Sequence, residues 1–264
     1  MTRSSIITLL TDFGTNDPYT GIMKGVILSI NPDTRIVDLC HHVPAQDIPT
    51  AGLFLKSAYA FFPDGTIHVA VVDPGVGSNR QPMLIETEKG FFIGPNNGLF
   101  SPILSKEKIV RVITLTSTNY FLQNIGSTFH GRDIFAPAAA HLSKGAAPDA
   151  FGPALKDPVI IDFPESKILP SGEILGEVLF ADHFGNLVTS IDRVCLEKAA
   201  INRFAAEINN IRINRLLSSY AEAEDKQPFF ITGSTGLLEI SVQNGNAQAC
   251  TGIQKGDPIR IFPV

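Results

Sequence analysis

The residue types that recognition and acid–base chemistry need are gathered in four short segments of the chain. In Thr11-Asp12-Phe13-Gly14-Thr15-Asn16-Asp17 the Asp12 carboxylate ends an apolar run. There it accepts hydrogen bonds either from sugar hydroxyls or, as a helix cap or Asx-turn, from its own backbone. Asp17 is open to pairing with an ammonium group or, like Asp12, to capping a helix or closing an Asx-turn. In Val72-Asp73-Pro74-Gly75-Val76-Gly77-Ser78-Asn79-Arg80 a carboxylate and a guanidinium lie seven residues apart on a glycine-rich loop, as a structural ion pair or as a polarising pair for a reacting group. This G-x-G is not a dinucleotide fingerprint, because Arg80 occupies the place of the third glycine. Phe129-His130-Gly131-Arg132-Asp133 puts an imidazole before an expected helix, whose positive end favours the neutral ring; capping and packing are equally open to it. Asp182-His183-Phe184-Gly185-Asn186 reads either as a hairpin turn with a buried Phe or as an aromatic face and an amide for a purine ring.

Strand–helix alternation must position the first three segments. Ile6–Leu10, Arg35–Leu39, Thr66–Val72 and Ile109–Leu115 read as strands, and Met83–Glu86 and Phe91–Ile93 flank the turn residues Glu88-Lys89-Gly90. Gly21–Ile30 sets Ile22, Val26, Ile27 and Ile30 on one helical face, and Arg132–Leu142 is a second helix. This pattern predicts a three-layer α/β domain over residues 1–152. A connector over 153–172 carries Pro153, Pro158, Pro164 and Pro170. Short strands at Ile174–Phe180, Leu187–Ile191, Phe204–Ile213, Phe229–Thr232, Leu237–Val242 and Pro258–Phe262 predict a smaller all-β, barrel-like domain over 173–264.

Composition excludes several classes. A chain of 264 residues with 44% hydrophobic side chains is not intrinsically disordered, and its net charge of −5 gives no footprint for nucleic acid or anionic lipid. No apolar run approaches the roughly 20 residues of a membrane span, and Asp12 ends the Ile6–Leu10 run too early for a secretory signal. The three cysteines, Cys40, Cys195 and Cys250, form no CxxC or Cys/His zinc pattern, so no metal is expected and a reducing, cytoplasmic setting fits.

Taken together, the segments resemble the S-adenosylmethionine (SAM) hydrolases that form adenosine, the hydroxide adenosyltransferases, which are related to fluorinase and chlorinase. The likeness runs over nearly the whole chain. It rests on Thr-Asp-Phe-Gly, Val-Asp-Pro-Gly-Val-Gly with a following Arg, Gly94-Pro95-Asn96-Asn97-Gly98-Leu99, Phe-His-Gly-Arg-Asp, Asp-His-Phe-Gly-Asn and Gly233-Ser234-Thr235-Gly236-Leu237-Leu238-Glu239-Ile240. The resemblance implies water activation by Asp73, Arg80 and His130, ribose binding by Asp12, and contact with the methionine amino group by Asp17 and Ser234. It places adenine against Phe184 and Asn186 with Asp182 beside the ribose, and includes Asn96 among the substrate-binding positions. Halogenating relatives carry Tyr in place of Asp73, Ser in place of Gly131 and a long insertion soon after the Arg80 position, so the likeness is to the hydrolase branch. Some relatives hold the substrate carboxylate with an Arg where this chain has Thr235.

The implied reaction is SAM plus water giving adenosine plus methionine, without a cofactor. The resemblance also implies a homotrimer with each site between the large domain of one subunit and the small domain of its neighbour. A SAM-dependent halogenase and a non-catalytic adenosine- or SAM-binding module are the alternatives. Because the sulfonium leaves as a neutral thioether, only the nucleophile needs help. Free hydroxide at pH 7 costs roughly 12 kcal/mol. An ordinary imidazole is a better acceptor of the water proton than an ordinary carboxylate by about 3–4 kcal/mol, which favours His130 over Asp73 unless burial raises the latter. Arg80 keeps its proton and can only stabilise the developing negative charge.

Overall fold

Alternating side chains on buried strands dictate the first layer arrangement. The computed structural model describes residues 6–199, 204–223 and 226–263. Its contacts divide the chain into two units, Met1–Asp162 and Phe163–Val264. In the first, β1 (Ile6–Thr11), α1 (Tyr19–Ile30), β2 (Arg35–Cys40), α2 (Ile48–Ala58) and β3 (Thr66–Val71) are followed by the hairpin β4 (Pro82–Thr87) and β5 (Gly90–Pro95). Then come α3 (Ser101–Lys106), β6 (Ile109–Thr114) and α4 (Ala136–Ser143). The six strands form one sheet in the order β2-β1-β3-β5-β4-β6, parallel from β2 to β5 and antiparallel beyond.

The period of two decides which helix covers which face. Ile7 and Leu9 of β1, Ile67 and Val69 of β3 and Phe91 and Ile93 of β5 pack on α1 and α4 through Met23, Ile27 and the small residues Ala136, Ala138, Ala139 and Ala140. The intervening Leu10, Ala70 and Phe92 pack on α2 and α3 through Leu55 and Ile103. Three layers result, as the alternation predicts. On α1 the buried face is Met23 and Ile27, while Ile22, one residue or about 100° away, turns toward solvent.

The Pro-rich stretch does not run free over its length. Its first part is hydrogen-bonded into the first unit: Leu155 N donates to Val112 O (2.8 Å), Val159 N to Asn96 Oδ1 (2.7 Å) and Ile161 N to Ser101 Oγ (3.0 Å).

The second unit holds β7 (Lys167–Ile168), β8 (Ile174–Ala181), β9 (Leu187–Asp192), α5 (Arg193–Lys198), β10 (Phe204–Ile208), β11 (Ile211–Ile213), β12 (Leu216–Leu217), β13 (Phe229–Thr232), β14 (Leu237–Ser241), α6 (Ala247–Thr251) and β15 (Pro258–Pro263). Eight of these strands run in the order β11-β10-β15-β8-β9-β14-β13-β12, with β7 added on β8. Laid flat at about 4.8 Å per strand, Ile213 and Phe230 would be too far apart to share a core. They belong to one cluster with Val178, Ile191, Ile240 and Ile261, so the sheet is curled around that core. The single strand predicted over Phe204–Ile213 is a hairpin, because Asn209 (φ 47°) and Asn210 (φ 67°) adopt the left-handed conformation of a two-residue turn.

His68 on β3 gives the first unit a calculable acid sensitivity. Its ring stacks on Phe92 at 5.0 Å, Nδ1 bonds Thr8 Oγ1 at 2.8 Å, and burial pushes its pKa down to about 4 from 6.5. The unfolded chain therefore takes up this proton first as pH falls, and stability is lost between about pH 6.5 and pH 4. By pH 5 the loss from this group is about 2 kcal/mol. Urea unfolding at pH 7 and pH 5 should show His68→Gln, which keeps a partner for Thr8, to be less acid-sensitive than the native chain by that amount. Equal losses in the two proteins would refute it.

Candidate active site

The strand order 2-1-3 places β1 between two parallel neighbours reached by crossovers on opposite faces, the point where open α/β sheets bind ligands beyond their C-terminal strand ends. Asp12 follows β1 directly and Asp73 follows β3. A cavity of about 350 Å³ lies there, walled by Asp12, Phe13, Gln46, Asp73, Phe129 and His130 among others.

Asp73, Arg80 and His130 form one connected chain. Arg80 donates from Nε to Asp73 Oδ1 at 3.1 Å and from Nη2 to Asp73 Oδ2, and Nη2 also reaches His130 Nδ1 at 3.0 Å. The Arg80 and Asp73 side chains are only 7% and 5% exposed. A guanidinium has no acceptor, so His130 Nδ1 is the lone-pair nitrogen and the neutral ring carries its proton on Nε2. Burial first, and the Arg80 charge second, hold the His130 pKa below that of an ordinary imidazole, against opposing pulls from Asp73 and Asp133. Neutral His130 thus has no free lone pair, which removes the advantage that simple pKa arithmetic gave it as a base.

Arg80 Nη1 is different: it is buried and has no hydrogen-bond partner among the described residues. An unmatched buried donor on a cation is costly unless a bound oxygen or anion satisfies it. The guanidinium is otherwise held by the face of Phe135, 5.4 Å away. The loop bearing it is tightened by Ser78, whose Oγ donates to Gly75 O (2.7 Å) and accepts from Arg80 N (3.2 Å). Gly77 at φ 75° lets this loop meet the loop before His130 backbone to backbone; a Cβ there would lie 2.3 Å from Ser127 O.

Asp12 accepts from Gln46 N at 2.9 Å through Oδ2, and Oδ1 takes no bond among the described residues. Thr11 Oγ1 to His41 Nδ1 (2.9 Å) and Gly14 N to His41 O (2.7 Å) fasten this turn to the 41–46 loop. Three sequence candidates fall outside the cavity wall. Arg80 stands behind it, bonded to the wall residues Asp73 and His130. Asp17 is exposed on the loop before α1, and Asn96 is buried with its side chain accepting from Val159 N.

In the second unit, a pocket of about 800 Å³ is lined by Asp182, Phe184, Asn186, Tyr220, Ser234 and Glu239 among others. Asp182 organises the β8–β9 hairpin: Oδ1 accepts from Phe184 N (2.9 Å) and Asn186 N (2.8 Å), and Oδ2 from Asn186 Nδ2 (2.9 Å). With Gly185 at φ 84°, the turn leaves Phe184 73% exposed rather than buried and sets Asn186 into the wall. An exposed ring beside an oriented amide suits a flat heterocycle. Glu239 approaches beneath Gly233, and burial, followed by the Asp182 charge, raises its pKa.

Family models settle the kinship. Residues 7–152 match the SAM hydroxide adenosyltransferase N-terminal domain and residues 176–260 match the C-terminal domain. The chain belongs to the SAM hydroxide adenosyltransferase family. It is 37% identical to an (R)-S-adenosyl-L-methionine hydrolase from Methanocaldococcus jannaschii, over 97% of this chain and 95% of that one. A fluorinase from Actinopolyspora mzabensis is more distant, at 28% over 74% of each chain. In three dimensions the chain is similar to an uncharacterized conserved protein of Thermotoga maritima, with a TM-score of 0.90, 29% identity and coverage of 97% and 99%.

Sequence reasoning missed Gln46, Tyr220 and Glu239 as wall residues and gave Asp133 no role. Glu239 had a readable signal, a lone acid inside the apolar run Leu237–Val242. Gln46 had none, since its φ of 64° and its backbone bond to Asp12 depend on tertiary context.

Proposed function

We propose that this chain hydrolyses (R)-S-adenosyl-L-methionine to adenosine and L-methionine. Water attacks the ribose C5′ in line with the sulfonium; the C5′–O bond forms, the C5′–S bond breaks, and its electron pair returns to sulfur as the neutral thioether. The observation that carries this reading is the buried, unpartnered Nη1 of Arg80. It offers a donor to the attacking oxygen at the moment negative charge grows there. Asp73 receives the water proton as the C–O bond forms. The transfer leads C–O bond formation, so the oxygen carries partial negative charge for Arg80 to stabilise while full free hydroxide is never formed. A halide in the same place would face the Asp73 carboxylate, which disfavours the halogenase reading.

Asp12 takes the ribose hydroxyls, Phe184 and Asn186 the adenine with Asp182 setting their turn, and Asp17 and Ser234 the methionine ammonium. The substrate carries its own leaving group, so the proposal invokes no cofactor. A homotrimer and a cytoplasmic setting, in which the three thiols stay reduced, belong to the same proposal; sedimentation at three times the chain mass is expected, and a fully active monomer would refute the trimer.

Incubation with SAM in ¹⁸O-labelled water should give adenosine labelled at the 5′-hydroxyl, unlabelled methionine, and inversion at a chirally deuterated C5′. Adenine as first product, or retention through a covalent carboxylate ester, would overturn the mechanism. Binding without methionine release would leave a non-catalytic module.

A further inference from the structure

His130 is carried by a long connection between β6 and α4, and something must hold it in place. That task falls on a group which the water-activating set does not include. The Asp133 side chain is 0% exposed, in a wide five-residue helical turn, Gly131–Phe135, that leads into α4. A buried carboxylate is retained only where its oxygens are well matched. Here Oδ1 accepts from Arg132 Nε at 2.6 Å, and Oδ2 accepts from Arg132 Nη2 at 3.1 Å and from the Gly126 amide at 2.8 Å. The Asp133 carbonyl accepts from Leu122 N at 3.0 Å, and its amide donates to Phe129 O at 3.1 Å. One residue therefore closes the loop at Leu122, at Gly126 and at Phe129. The Gly126 backbone in turn faces the His130 ring and favours its protonated form, and Phe129, whose carbonyl takes the Asp133 amide, is the residue before His130. A Cβ on Gly126 would stand 3.3 Å from Asp133 Oδ2, so little slack remains in the contact.

We propose that Asp133 is a positioning residue: through the Gly126 backbone it holds His130 in the orientation and tautomer that present Nδ1 to Arg80. It touches neither the cavity nor the reacting atoms. The inference rests on the proposed hydrolysis only for its kinetic readout; its structural readout stands alone.

The test compares the native protein with Asp133→Asn and Gly126→Ala. Asparagine keeps the shape and one acceptor but loses the charge; alanine at 126 keeps the amide and presses on Oδ2. Long-range ¹H–¹⁵N NMR of the imidazoles, with His130 assigned by its absence in His130→Gln, reads the tautomer without substrate. Native His130 should show an unprotonated Nδ1 and a protonated Nε2, and Asp133→Asn should show an averaged pattern. With SAM, kcat should fall about 100-fold in Asp133→Asn and less in Gly126→Ala, with KM changed less than about threefold. The acid limb of kcat should move to lower pH in Asp133→Asn, because the groups acting on the ring are Arg80, Asp73, Asp133 and the Gly126 backbone, and only Asp133 has lost its charge. An unchanged tautomer in both variants, or an unmoved acid limb with kcat and KM falling in parallel, would overturn the proposal. A changed tautomer in a protein that never cleaves SAM would support the positioning role and refute the hydrolase reading instead.

Discussion

Arg80→Ala is expected to lower kcat for SAM hydrolysis about 10³-fold while KM rises less than threefold. The guanidinium supplies a buried donor, Nη1, that is unmatched among the described residues, and it also fixes both oxygens of Asp73 and the lone pair of His130. Its loss removes an interaction that strengthens as charge develops on the oxygen and that contributes little to holding the ground-state substrate. Truncation also strands a nearly buried carboxylate, so part of the damage could be to folding. Arg80→Lys separates the two effects. It keeps the charge but not the planar fork, and should fold normally, with kcat reduced about 100-fold. Parallel losses in kcat and KM for Arg80→Lys, measured by initial rates on protein with a native melting temperature, would mean that Arg80 binds substrate rather than nucleophile.

Asp73→Asn should be about as damaging, roughly 10³-fold in kcat, because it removes the acceptor for the water proton while preserving shape. The informative contrast is at His130. If the imidazole only offers its Nδ1 lone pair to Arg80, then His130→Gln, which keeps an acceptor in that region, should be at least tenfold faster than His130→Ala. If the imidazole takes the proton, Gln and Ala should be equally poor, and Asp73→Asn should be the milder change. Rates for the three variants at saturating SAM decide between the two carboxylate and imidazole roles. His42→Gln, at an exposed side chain, serves as the control, with a modest effect expected.

Most of the architecture is written in hydrophobic period. Ile7 and Leu9 against Leu10, or Phe91 and Ile93 against Phe92, assign strands and faces without any three-dimensional knowledge. Helix α2 was not readable in that way, because Pro49 and Gly52 interrupt its pattern, although Asp47, whose carboxylate caps Thr50 N at 3.1 Å, marks its start. At the site, Asp73, Arg80 and His130 were legible as residue types on loops, and the structure joins them by direct bonds. The direction of those bonds was not legible. A sequence does not say which imidazole nitrogen faces a guanidinium, and that single fact removes the advantage that His130 held over Asp73 as a candidate base. Asp133 was visible in the same motif but silent, since its partners Gly126 and Leu122 are backbone amides of an irregular loop.

The contact between Gly77 and Ser127 has an evolutionary consequence. Any side chain at 77 would have to accept a φ of 75° and displace a carbonyl 2.3 Å from its Cβ, so exchange of one residue for another is closed at this point. Changes in loop length are not closed in the same way. Ser78, Asn79 and Gln81 lie outside that contact, and added chain between Gly77 and β4 can bulge toward solvent without moving the carbonyl. On this loop, therefore, new chemistry has an easier route through insertion after Gly77 than through substitution of Gly77 itself.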